Sequence, residues 1–269
     1  MFEIPEDRLP PGFAETVGTP PANPARPRPA ATIVLLREGG AGPEVLMMRR
    51  HGSSGFVPGA WVFPGGRVDT GDSGPALHER ITGLGSRPVP ESAYWSAALR
   101  ELFEETGVLL ARDRRGEWAP DAVSDRRVAR LRRALMEGGA LMDVLEELDV
   151  ILAAEDIVHI AHWVTPVVEP RRYDTHFFVG RLPDGRVVKP DPREMTEALW
   201  LPPAAALARF EQGELPMVFP TLKTLELLRG HDSVEHVLTS LRHREVPSIL
   251  PRLVRTEAGV AIVVDEQTG

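Results

Sequence analysis

The chain has 269 residues, 42% of them hydrophobic, which is enough to bury one large core and excludes the small scaffolds that need disulfide or metal staples. Its 31 basic and 39 acidic residues leave a formal net charge of -8, so no sequence-wide attraction draws it to nucleic acid or anionic lipid, and the expected partner is a small molecule. The absence of cysteine excludes disulfides, thiol nucleophiles, thiolate zinc sites and iron-sulfur clusters, and points to a cytoplasmic protein.

The first 29 residues carry eight of the 26 prolines, so no helix runs through them and an extended, loosely attached arm is expected ahead of one domain over residues 30–269. They lack the apolar core of a secretory signal, and the longest apolar runs, residues 33–36 and 260–264, are strand-sized, so no membrane span is expected. Residues 32–36 and 45–48 read as strands around a turn-rich bridge, and residues 59–63 as a strand that stops at Pro64-Gly65-Gly66. Residues 67–90, rich in glycine and proline, read as an irregular excursion.

From Glu91 to Thr106 neither glycine nor proline intervenes, Leu99, Leu102, Phe103 and Thr106 recur at helical spacing, and Gly107 stands where a C-terminal cap belongs. A helical insertion over about residues 123–155 follows, broken at Gly138-Gly139 and striped by leucines 131, 135, 141, 145 and 148. Strands are expected at 158–164, 176–179 and 198–201, helices at 204–212, 221–228 and 234–242, and a hairpin within 250–264 that folds back at 257–259.

The segment that carries chemistry is Arg100-Glu101-Leu102-Phe103-Glu104-Glu105-Thr106-Gly107-Val108. At about 100° per residue the three glutamates share one face of the helix, opposite the apolar stripe. Like charges at these spacings cost about 0.2 to 0.5 kcal/mol per pair, and the negative end of the helix dipole adds to the penalty. A hard divalent cation reverses that sign, whereas a solvated acidic surface is the plainer alternative. Arg100 is placed to pair with Glu104 or to orient Glu101.

Together with Phe63-Pro64-Gly65-Gly66, this segment resembles the signature of the Nudix hydrolases, G-x5-E-x7-R-E-U-x-E-E-x-G-U with U aliphatic. The resemblance implies an α/β fold, an α/β/α sandwich around a mixed sheet, and hydrolysis of a nucleoside diphosphate linked to another moiety. It implies metal ligation by Glu104, Glu105, the Gly66 carbonyl and Glu101, the last as ligand or general base beside Arg100, with Mg2+ or Mn2+ as the ion. An acid from outside the box usually completes such sites, and Glu194 and Glu197 are the candidates. Gly66 and Arg100 stand 34 positions apart instead of 14, so an excursion of 20 residues interrupts the box. The box's first Glu is missing, so either Asp72 or Glu91 substitutes for it or that support is absent.

The interrupted box, the helical insertion, Trp163-Val164-Thr165-Pro166 and residues 170–178 are similar to the peroxisomal coenzyme A diphosphatase branch of this family and its bacterial relatives. Its coenzyme A signature is partly present in Leu46, Arg50, Gly59 and Phe63 to Gly66, with Gly55, Met48 and His51 departing from it. The substrate so implied is coenzyme A or an acyl derivative, with ADP-ribose or a dinucleotide as the alternative and a non-catalytic nucleotide-binding module as the contrasting reading. Arg50 and Arg172 are candidate phosphate clamps and Tyr173 a candidate base-stacking residue. His159 and His162, three apart on an expected strand, should face opposite ways, which argues against a zinc pair. The basic run Arg126-Arg127, Arg130 and Arg132-Arg133 reads as a solvated helix face. A homodimer is compatible with all of this.

Overall fold

The β-branched and aliphatic runs form long paired strands in the computed structural model, which describes residues 2–6, 13–19, 21–52, 57–85 and 87–264. The described part of the arm is held rather than loose: Phe2–Pro5 is strand β1 and Phe13–Thr16 a single helical turn, α1. Strands β2 (Arg28–Gly39) and β3 (Gly42–Arg50) make an antiparallel hairpin from Leu36 opposite Val45 to Gly39 opposite Gly42. Strand β4 (Trp61–Val62) pairs with β3, and β5 (Gly65–Arg67) pairs with the first half of β2, which sets Gly66 opposite Ala31.

Residues 67–90 are more regular than their glycines and prolines suggest. They hold a 3-10 turn at Thr70–Ser73, a short helix α2 (Pro75–His78) and strand β6 (Ile81–Thr82). Helix α3 follows (Val89–Thr106), with Pro90 in the first turn, where its missing N–H costs nothing. Its end matches the sequence: Gly107 has φ 77°, left-handed, and its N–H donates to the Phe103 carbonyl at 2.9 Å. Then come β7 (Ala111–Arg112), the two helices of the insertion, α4 (Arg126–Met136) and α5 (Leu141–Leu148), and β8 (Ile151–Ala153).

The remainder is β9 (Ile157–Val164), β10 (Tyr173–Arg181), β11 (Met195–Leu201), α6 (Pro203–Glu211), α7 (Phe219–Leu228), α8 (Val234–Leu241), β12 (Ser248–Ile249), β13 (Arg252–Arg255) and β14 (Gly259–Val263). The central sheet runs β11-β3-β2-β10-β9-β12, mixed because β2 and β10 are parallel while β10 and β9 are antiparallel. On one face Ala31, Ile33, Leu35 and Phe178 pack with Leu99, Leu102 and Phe103 of α3 and with the leucines of α4 and α5. On the other, Val34, Leu36, Phe177 and Val179 pack with Leu222, Leu225 and Val237 of α7 and α8. This is the α/β/α sandwich expected. The expected terminal hairpin is β13-β14, and β1 pairs along β14, so the described start of the arm joins the end of the chain.

One strand departs from simple alternation. Ala161 of β9 lies opposite Phe177 and His159 opposite Phe178, so Ile160 is an extra residue. This β-bulge reverses the alternation. His159 and His162 therefore share a face, against expectation, and both rings contact His176 of β10. Among the described residues, no helix is long and apolar enough to cross a membrane.

A side chain at Gly107 would be strained twice, by φ 77° and by a Cβ 3.0 Å from both the Ala122 Cβ and the Arg132 Nη1. We expect Gly107→Ala to lower stability by about 1 to 2 kcal/mol, seen as a fall of several degrees in Tm. An unchanged Tm would show that the end of α3 does not depend on this residue.

Candidate active site

The carboxylates of α3 lie against the bend that follows β4. Pro64 ends the short strand with its carbonyl accepting from the Ile33 N–H at 2.9 Å, which ties the bend to β2. A Cβ on Gly65 would overlap the Ala31 carbonyl, and one on Gly66 would overlap the Glu101 carboxylate. Only glycines let the backbone and the helix approach this closely. The Gly65 N–H then donates to Glu105 Oε2 at 3.0 Å.

Arg100 holds the other side together. Its Nε and Nη2 donate in parallel to the two oxygens of Asp72, each at 2.9 Å, and Nη2 also donates to the Arg67 carbonyl at 2.8 Å. Its Nη1 reaches Glu101 Oε1 at 2.9 Å and Glu104 Oε1 at 3.1 Å. This paired geometry is the strong form of a charge-assisted bond. Of the two acids that could replace the missing box Glu, Asp72 is buried in a 3-10 turn and meets Arg100, whereas Glu91 is exposed in the first turn of α3. The excursion of 20 residues therefore falls between Asp72 and Arg100.

The glutamates are not a solvated acidic surface. Glu105 is buried, and the side chains of Glu101 and Glu104 are 13% and 21% exposed. Burial, reinforced by Glu104 and Glu194 and opposed by Arg100, pushes the Glu101 carboxyl up to about 7. Burial likewise raises Glu104, and burial plus the charge of Glu101 raises Glu105 well above the usual carboxylate range. Burial works against the Arg100 charge, but its bonds to Asp72 and the neighbouring carboxylates hold it firmly protonated. Such a concentration of oxygen donors with raised affinity for positive charge fits a hard divalent cation.

The opposite wall of the site comes from the loop before β11. Glu104, Glu105, Met136, Asp191, Arg193 and Glu194 line a cleft of about 300 Å³. Glu194 is thus beside the cluster and adds to the raised affinity of Glu101 and Glu105. Glu197, the other candidate, points elsewhere and pairs with Arg49 at 2.7 Å in an exposed position. Arg50 lies near enough for its charge to oppose the rise at Glu105.

Two expected substrate residues are not brought to the cleft. Arg172 is buried, donating to the carbonyls of Thr165 at 3.0 Å and Ala25 at 2.9 Å, and so fastens the arm to the β9–β10 connection instead of meeting phosphate. Tyr173 begins β10, and by alternation it shares the face of Phe177 and Val179, opposite α3. Gly55 lies outside the described residues.

Other contributors were hidden by their local context. Arg132, which the sequence groups with a solvated basic run, is buried and donates through Nε to the Glu104 carbonyl at 2.9 Å. The Asp191 N–H donates to the Glu105 carbonyl at 2.9 Å, and the Lys189 N–H to the Thr106 carbonyl at 2.7 Å. These satisfy the last carbonyls of α3, which the helix itself leaves unpaired.

Two outcomes follow from this geometry. Glu101 holds its proton to about pH 7 when folded but releases it near 4.5 as an ordinary carboxylate. Its contribution to the stability of the metal-free protein is thus fullest below about 4.5 and lost as pH rises through about 7. In EDTA, Tm should fall by several degrees from pH 6 to 8, and a divalent cation should flatten that slope; equal slopes with and without cation would contradict the assignment. Asp72→Ala should cost about 3 kcal/mol or more by leaving the buried Arg100 under-compensated, while Asp72→Glu retains most of the stability; denaturant unfolding reads both.

A family model described as the NUDT19 Nudix domain matches residues 75–228, and one described as the NUDIX domain matches residues 26–80. The acyl-coenzyme A diphosphatase NUDT19 of Gallus gallus is 28% identical over 221 residues, covering 66% of this chain and 58% of that protein. The protein of the same name from Homo sapiens is 29% identical over 238 residues, covering 71% and 59%. The chain spans about three-fifths of the length of the curated relatives it matches. Among solved structures, a Nudix hydrolase from Alicyclobacillus acidocaldarius is 32% identical, with a TM-score of 0.69 and coverage of 82% of this chain and 99% of that one. The interrupted box and the matches on both sides of its excursion agree: the chain belongs to the Nudix family, in the group defined by the NUDT19 Nudix domain.

Proposed function

We propose that the chain hydrolyses the pyrophosphate bond of coenzyme A or an acyl derivative, giving a phosphopantetheine portion and adenosine 3′,5′-bisphosphate. The observation that carries this reading is the trio Glu101, Glu104 and Glu105, Glu105 buried and the other two half-buried, held between the Gly65-Gly66 bend and Arg100, with Glu104 and Glu105 opening on a cleft. A module that only bound a nucleotide would have no use for carboxylates assembled at such electrostatic cost.

Glu104, Glu105, Glu194 and the Gly66 carbonyl would hold the cation, Mg2+ or Mn2+, with Glu101 as ligand or base. When bound, it neutralises pyrophosphate charge and makes water a better nucleophile near neutral pH. Glu101 takes the proton of the attacking water, a task the adjacent cation supports by keeping the carboxylate ionised. Arg100 fixes the orientation of Glu101 and Glu104 through one Nη1, so that base and ligand do not swing independently. Arg50, near Glu105 on β3, meets a phosphate oxygen. One water adds across the anhydride and two phosphate monoesters leave.

Support for the coenzyme A substrate comes from the name of the NUDT19 relatives and from Leu46, Arg50, Gly59 and Phe63 to Gly66 of the partial signature. The protein should be incubated with coenzyme A, acetyl-coenzyme A, ADP-ribose and NADH, with and without Mg2+ or Mn2+, and products identified by mass. Cation-dependent release of adenosine 3′,5′-bisphosphate is expected; exclusive cleavage of ADP-ribose or NADH would move the substrate, and cleavage of none would leave a binding module. Glu104→Gln and Glu105→Gln should each lower kcat by at least about 100-fold, of the order lost when one electrostatic stabiliser is removed, with circular dichroism unchanged.

A further inference from the structure

On the same face of the sheet as the carboxylates, but beyond the N-terminal half of α3, four aromatic rings gather around β9 and β10. The bulge at Ile160 brings His159 and His162 together. His176 of β10 stacks on Tyr94 of α3 at 3.9 Å between ring centres, and lies 4.0 Å from His162 and 4.8 Å from His159. Asp174, two residues before His176 and so on the same face, bonds to His162 Nε2 and accepts from the Tyr94 hydroxyl at 3.3 Å.

Two nitrogens of this cluster, His159 Nε2 and His176 Nδ1, are shut from solvent with no hydrogen-bond partner, which is a costly condition for a ring nitrogen. One donor atom each from His162, Asp174 and His176 falls within 4.8 Å of the others. Ligands of a tetrahedral zinc-type ion stand about 3.3 Å apart, given bonds of about 2.0 to 2.1 Å, so the three donors must draw closer around a bound ion.

We propose that His162, Asp174 and His176 form a binding site for a transition-metal dication of the zinc class, distinct from the carboxylate cleft and left with an open fourth position. Two imidazoles and one carboxylate suit Zn2+, Co2+ or Ni2+, whereas the carboxylate cluster at the cleft suits Mg2+ or Mn2+. The chain thereby separates two classes of ion by ligand chemistry. The Tyr94 hydroxyl, donating to Asp174, orients the carboxylate from behind. The pairing of Gly66 with Ala31 and of Ala31 with His176 puts the two sites two strand spacings apart, about 10 Å.

The test uses the full chain stripped with chelator and returned to excess Mg2+. Titration with Co2+ should yield one tight equivalent with visible d–d absorption, displaced by Zn2+. His162→Gln and Asp174→Asn, both partly exposed positions, should each weaken Co2+ binding at least about tenfold while circular dichroism is retained. The Glu104→Gln/Glu105→Gln double variant should keep the band, which separates failure here from failure of the proposed hydrolytic site. A folded wild-type chain without the band, a band that survives both His162→Gln and Asp174→Asn, or one lost in the glutamate double variant would overturn the proposal.

Discussion

The buried guanidinium of Arg100 is the contact on which the site depends. Five like-charged groups, Asp72, Glu101, Glu104, Glu105 and Glu194, converge near the negative end of a helix, an arrangement that propensity and dipole both oppose. Arg100 binds three of them and a carbonyl of β5 with one planar group. A lysine could not reproduce this, because an ammonium lacks the flat fork that meets Asp72 with two donors and still reaches α3 with a third nitrogen. Around this contact the glycine bend supplies close approach, and the core on the far side of α3 supplies the rigidity.

The helix, its glycine cap and the spacing of its glutamates were legible because each is local: one turn of α-helix fixes who neighbours whom. What stayed hidden depends on distance along the chain. Asp72 and Glu91 were equal candidates until the path of the excursion showed which one reaches Arg100. Arg132 looks like one more arginine in a basic run, and only the docking of α4 beside α3 reveals it as a cap for the Glu104 carbonyl. The strand β1 finds its partner at the other end of the sequence, which no local pattern records. The shared face of His159 and His162 has a different origin. Counting by twos along β9 fails at a single inserted residue, and that insertion has no signature in composition.

The helical insertion is also less separate than its sequence suggests. Met136 reaches the cleft and Arg132 the end of α3, so the insertion completes the wall that the loop before β11 leaves open. The match to the NUDT19 Nudix domain begins before α3 and runs through the insertion to the end of α7, taking the helical half of the box and the insertion together, as the contacts do.

The excursion inside the box has a wider consequence for how such motifs are recognised. Lengthening the Asp72-to-Arg100 tether from the family's 8 positions to 28 adds only about 1 kcal/mol of closure entropy, because that penalty grows with the logarithm of length. The ion pair at its two ends can absorb so small a charge. Fixed-gap patterns will therefore overlook proteins of this kind, and a search that demands only that both anchors exist, at whatever separation, will find them.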